Sequence, residues 1–161
     1  MIFVHAYTKE LIGGIQMYFV DRDKIGQQLE YLQQLVQLFN EKEAFDSPLE
    51  KLGLERLAHM MIEAMLDVGN SMIDGFIMRD PGSYEDIMDI LTDERVLTPT
   101  DASSIKELLV LRKTLVHDYT SIHHDWLREA VAKELPAVES FSTAVKKYLN
   151  DELGPVTAFK N

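Results

Sequence analysis

Leu111-Arg112-Lys113-Thr114-Leu115-Val116-His117-Asp118-Tyr119 sets a guanidinium into the apolar side of a helix. At about 100° per residue, Ile105, Leu108, Leu109, Leu115 and Val116 share one side, with Arg112 in its middle, where a leucine is expected. A guanidinium keeps its proton, so burying it demands a carboxylate or a phosphate partner. His117 follows five residues later and is suited to moving protons near neutral pH. Tyr119 comes two further on, back on the arginine's side. An unbroken helix sets Arg112 and His117 about 140° apart. They share a site only if the helix unwinds near Val116 or if two subunits contribute to it. Asp118-Tyr119-Thr120-Ser121 is the expected end of the helix, which puts His117 in its last turn.

Outward from this helix the chain reads as all-α. Asp21 is the expected N-cap of a first helix from about Arg22 to Phe39, where Ile25, Leu29, Leu32, Val36 and Phe39 step four-three-four-three along a bundle seam. Ser47-Pro48-Leu49-Glu50 combines a capping box with proline at the first helical position. The second helix is expected to reach Arg79, before Asp80-Pro81-Gly82. Arg56, His59, Glu63, Asp67, Asn70 and Asp74 form one narrow stripe along it, which reads as a solvated face. Ala64, Met65, Leu66, Val68, Met72 and Ile73 cover most of the remaining circumference. So wide an apolar arc predicts a central helix, packed by its own bundle and by a second subunit.

Ser83 is the expected cap of a short helix through about Thr92, carrying Ile87, Met88 and Leu91. The motif helix is expected over Asp101 to Val116, after Thr98-Pro99-Thr100. A last helical region spans about Ile122 to Asn150, buried through Leu127, Val131, Val138, Phe141, Val145 and Leu149. Pro136 is expected to kink or divide it. No strand pattern or repeat is visible, so the fold class is an antiparallel, up-and-down bundle of four to five helices. Residues 1–16 read differently: they lack the features of a signal peptide and contain Gly13-Gly14, and Met17 follows. They are expected to be either upstream sequence outside the domain or a short element docked on it. The domain itself spans 17–153, and 154–161 form a loosely held tail.

Composition narrows the function. The chain has 161 residues, a net charge of −11 and no cysteine, which excludes disulfide frameworks and thiolate metal sites. Such a charge opposes a broad grip on nucleic acid, so any RNA contact is local. No apolar run approaches the ~20 residues of a membrane span, and a cytoplasmic location is expected. His59, Glu63 and Asp67 stand four apart, but nothing completes a metal site around them; His123-His124-Asp125 reads as an exposed helix start. The methionines read as core filling.

Arg112-x4-His117-x-Tyr119 at the end of a late helix resembles the motif of the HepT-like branch of the HEPN superfamily. Glu63-Ala-Met-Leu-Asp67 in a long helix and Asp80-Pro81-Gly82-Ser83-Tyr84 before a short one resemble the same branch. The resemblance covers about Tyr18 to Leu153 and implies a HEPN-like, homodimeric bundle. It also implies a metal-independent endoribonuclease toxin, with Arg112 and His117 catalytic, RNA as substrate and no cofactor. A minimal nucleotidyltransferase antitoxin is implied as partner, with Tyr119 as the adenylylated residue. Arg112 has three possible carboxylate partners, Glu63, Asp67 and Asp74, in a pair that ties two helices together or holds the guanidinium until a phosphate arrives. Lys113 stands where the family usually carries a small polar residue. Lys113 filling the cleft or pairing with Asp118 would instead leave a non-catalytic dimeric module that binds a nucleotide or a partner.

Overall fold

The computed structural model describes residues 11–12, 15–16 and 19–154. Five helices build it: α1 (Arg22–Glu41), α2 (Pro48–Gly75), α3 (Tyr84–Asp93), α4 (Pro99–Val116) and α5 (His124–Leu153). A short 3-10 turn, Tyr119–Ser121, joins the last two. β1 (Leu11–Ile12) and β2 (Ile15–Gln16) pair antiparallel, Leu11 opposite Gln16 and Ile12 opposite Ile15. The sequence reading contained no strand, because two residues are too few for an alternating pattern. The remainder of the expected N-terminal extension, and the tail from 155 onward, lie outside the described residues.

The helix starts form where their capping chemistry places them. Asp21 accepts from the Lys24 amide at 3.0 Å, Ser47 and Glu50 exchange the two bonds of a capping box, and Ser83 accepts from the Asp86 amide. The apolar seams expected on α1 and α5 are buried in full, as are Ile87, Met88 and Leu91 of α3. Met61, Met65, Met72 and Met88 are core residues.

α2 touches every other helix. Its wide apolar arc, Ala64 through Ile73, is therefore buried within the single chain, leaving none of that arc for a second subunit. Gly69 admits the closest approach: a Cβ there would come within 2.5 Å of Ile87 Cγ2 on α3. This contact seats the short helix against α2.

Apart from shifts of one to three residues at other helix ends, two features differ from expectation, each for a local reason. α2 stops at Gly75 rather than Arg79. Ile77 adopts φ 53°, its amide bonds to the Asp74 carbonyl, and the Met78 amide bonds to the Ile73 carbonyl. This is a Schellman ending with isoleucine where glycine is usual, so no glycine marks it in the sequence. α5 is not divided at Pro136 and runs unbroken from His124 to Leu153. Pro136 and Ala132, whose carbonyl loses its amide partner, both lie on the exposed side, where solvent reaches that carbonyl.

Candidate functional site

The Arg112 side chain points from α4 toward α2 and α3. Its Nε donates to Glu63 Oε1 at 2.7 Å, and its guanidinium carbon lies 4.6 Å from the centre of the Tyr84 ring. The same Glu63 oxygen lies 3.5 Å from His59 Nε2, one helical turn back on α2. Three helices thus contribute to one cluster: His59 and Glu63 from α2, Tyr84 from α3 and Arg112 from α4. The hydrogen bond to Glu63 holds the Arg112 pKa above its ordinary value, against an opposing push from burial. Among the described residues the two terminal guanidinium nitrogens make no hydrogen bond, and the side chain retains 26% of its exposure. Their four N–H donors are open to a further anion.

Of the three carboxylates expected near Arg112, only Glu63 pairs with it. Asp67 and Asp74 sit further along α2 and make no ion pair among the described residues. Burial, then Glu63, raises the Asp67 pKa; burial, then Asp80, raises that of Asp74; Lys24 on α1 opposes both. The polar stripe of α2 is thus only partly solvated. Arg56 is exposed and Asp67 only partly so, while His59, Glu63, Asn70 and Asp74 are half-buried between helices.

α4 ends where the sequence suggested. Val116 is its last residue, His117 is the C-cap with its amide bonded to the Lys113 carbonyl at 2.8 Å, and Tyr119 opens the 3-10 turn. His117, Asp118 and Tyr119 are all exposed. Among the described residues no hydrogen bond or cation-π contact joins His117 or Tyr119 to Arg112, whose partners are Glu63 and Tyr84, so the arginine cluster and the histidine are separate features of the same helix. Lys113 does not pair with the Asp118 carboxylate. It is exposed, and the two residues meet through the backbone, where the Asp118 amide donates to the Lys113 carbonyl at 3.3 Å.

Sequence reasoning missed two members of this region. In the sequence Tyr84 stands out only as part of a motif, because the helix-to-helix packing that brings it over Arg112 has no local marker. His124 was read as exposed, yet its Nε2 lies 2.9 Å from Glu55 Oε2 and ties the start of α5 to α2. Among the described residues no group of three or more His, Asp or Glu is arranged to hold a metal ion, and no helix is long and apolar enough to cross a membrane.

The model of the family "Ribonuclease HepT-like" matches residues 25–145. The chain belongs to the HepT-like ribonuclease family. It is 46% identical over 144 residues to "Putative RNase YutE" of Bacillus subtilis (strain 168), covering 89% of this chain and 100% of that protein. The solved structure of YutE, described as a cytosolic protein of unknown function, matches with a TM-score of 0.85 at 45% identity, over 89% of this chain and 100% of that one. A tri-AMPylated HEPN toxin of Shewanella oneidensis, solved in complex with its MNT antitoxin, matches with a TM-score of 0.70. That match has 18% identity and covers 78% of this chain and 98% of the other, a likeness of fold. Sequence thus shows the HepT-like family, and the five-helix domain shares the fold of the HEPN toxin.

Proposed function

We propose that this protein is a metal-independent endoribonuclease that cleaves RNA by attack of a ribose 2′-hydroxyl on the adjacent phosphate, and that it acts as the toxin of a toxin–antitoxin pair. The observation that carries this reading is the state of Arg112, anchored through Nε to Glu63 with its terminal N–H donors open. Such a guanidinium is positioned before substrate arrives and meets the charge that develops on the phosphoryl oxygens. Family membership and the 46% identical "Putative RNase YutE" support RNA cleavage.

The reaction needs a base for the 2′-hydroxyl proton and an acid for the departing 5′-oxygen. The new O–P bond forms as the 5′-O–P bond breaks, leaving a cyclic phosphate and a free 5′-hydroxyl. His117 supplies the proton transfers. One imidazole does not reach both sides of one phosphorus, so two chains meet about a two-fold axis and bring two motifs together. With the α2 arc consumed inside the bundle, the exposed side of α4 is the better contact. Val110, 63% exposed, and His117 lie seven residues apart on it.

Tyr119 is the proposed acceptor for an adenylyl group from a nucleotidyltransferase antitoxin. Its exposure of 63% leaves the hydroxyl accessible to attack the α-phosphorus of ATP, with pyrophosphate leaving. The added phosphate, two residues from His117, places negative charge where the substrate phosphate has to approach and repels it. The test is cleavage of RNA by the purified protein with chelator present. Wild type is expected to cleave and His117→Ala to be slower by about 10²–10⁴-fold; unchanged cleavage by that variant removes the catalytic assignment.

A further inference from the structure

Tyr84 is an aromatic ring set beside an anion-binding cation and left 47% exposed. Its backbone is fixed from several directions. It is the first residue of α3, directly after the Ser83 cap. Arg79 makes two 2.7 Å bonds to the Asp86 carboxylate, which also accepts from the Gly82 amide at 2.8 Å. Gly69 lets α3 close onto α2. The ring is therefore held in place at little further entropic cost when something lands on it.

We propose that Tyr84 is a base-stacking platform, which makes the site specific for single-stranded RNA with an unstacked base next to the phosphate held by Arg112. This rests on the ribonuclease reading and adds the substrate class. A chain of net charge −11 gains little from backbone contacts along a duplex. Stacking draws on the π-face that every base carries and adds affinity beyond what the single cation Arg112 gives through the phosphate. A duplex keeps its bases inside and presents none to the ring. Arg112 against Tyr84 takes up only part of the aromatic surface, and a base on the open part lies within one nucleotide of the guanidinium.

The full-length protein is titrated with two uncleavable probes, a 2′-O-methyl single-stranded oligoribonucleotide and an abasic strand of the same length. Wild type is expected to bind the base-bearing strand more tightly. Tyr84→Leu is expected to weaken that binding about 5- to 100-fold and to leave the abasic strand within about twofold, while Tyr84→Phe keeps wild-type affinity for both. Equal weakening on both probes would mean that the ring only supports Arg112, and would overturn the proposal. So would an unchanged Tyr84→Leu, or wild type that binds neither probe. Cleavage of unmodified RNA is scored separately. Stacking that depends on Tyr84 without any cleavage keeps the platform and rejects the nuclease.

Discussion

Replacing Glu63 by alanine leaves Arg112 half-buried without its carboxylate. The pair retains 26% exposure on each side, which places its worth between a surface bridge and a buried one. The expected loss is about 1–2 kcal/mol, read from the shift of the urea midpoint. An unchanged midpoint would mean that solvent already satisfies the guanidinium. Asp67, one turn further on, behaves oppositely. Its folded pKa is raised above 3.8, so its carboxylate opposes folding at neutral pH, and the opposition disappears as the pH falls and the group protonates. Asp67→Asn is therefore expected to raise the midpoint at pH 7, with the gain vanishing toward pH 4. At this scale the sequence disclosed the pairing need but not the full cluster. A guanidinium among leucines demands a carboxylate wherever it sits, and the stripe on α2 offered three. Tyr84 stayed hidden because a cation resting on a ring leaves no requirement in the residues on either side of it.

The short helix α3 is pinned by its N-terminal staple and by one close contact. Asp86 is held at a pKa of about 2 by Arg79 first and by the Gly82 amide next. A lowered carboxylate pKa stabilises the fold above the ordinary Asp value, and that stability is lost as the pH falls toward 2. The midpoint difference between wild type and Arg79→Met is accordingly expected to be level from pH 7 to about 4 and to shrink below it. A difference that grows on acidification would contradict the staple. Gly69→Ala brings a methyl group into Ile87 Cγ2, on a branched side chain with little freedom to turn away. The helix propensity gained is below about 1 kcal/mol and overpacking costs about 1–3, so a net destabilisation of about 1 kcal/mol is expected by urea titration. Most helix starts were legible because Asp21, Ser47 and Ser83 announce them chemically. The end of α2 was not, since Ile77 occupies the left-handed position, and neither was the unbroken α5, since the tolerance of Pro136 depends on which side faces solvent. His124 with Glu55 shares this limit: 69 residues separate them, and only the packing of α5 on α2 brings them together.

For the whole molecule, the five-helix order and the core were readable from periodicity, whereas how two motifs meet is a property of an assembly. A single chain keeps Arg112 inside the three-helix cluster and His117 at the exposed end of α4, so the proposed reaction depends on a partner copy. Val110→Asp, a charge placed on the open side of α4, is expected to shift sedimentation from dimer to monomer and to reduce cleavage in parallel, with each chain still folded. The most direct test of the shared site mixes wild type with increasing amounts of His117→Ala, allows the subunits to exchange, and measures RNA cleavage at fixed total protein. Two histidines in one site predict that activity falls with the square of the wild-type fraction, whereas a fall in simple proportion to that fraction would mean that each chain acts alone and would contradict the account.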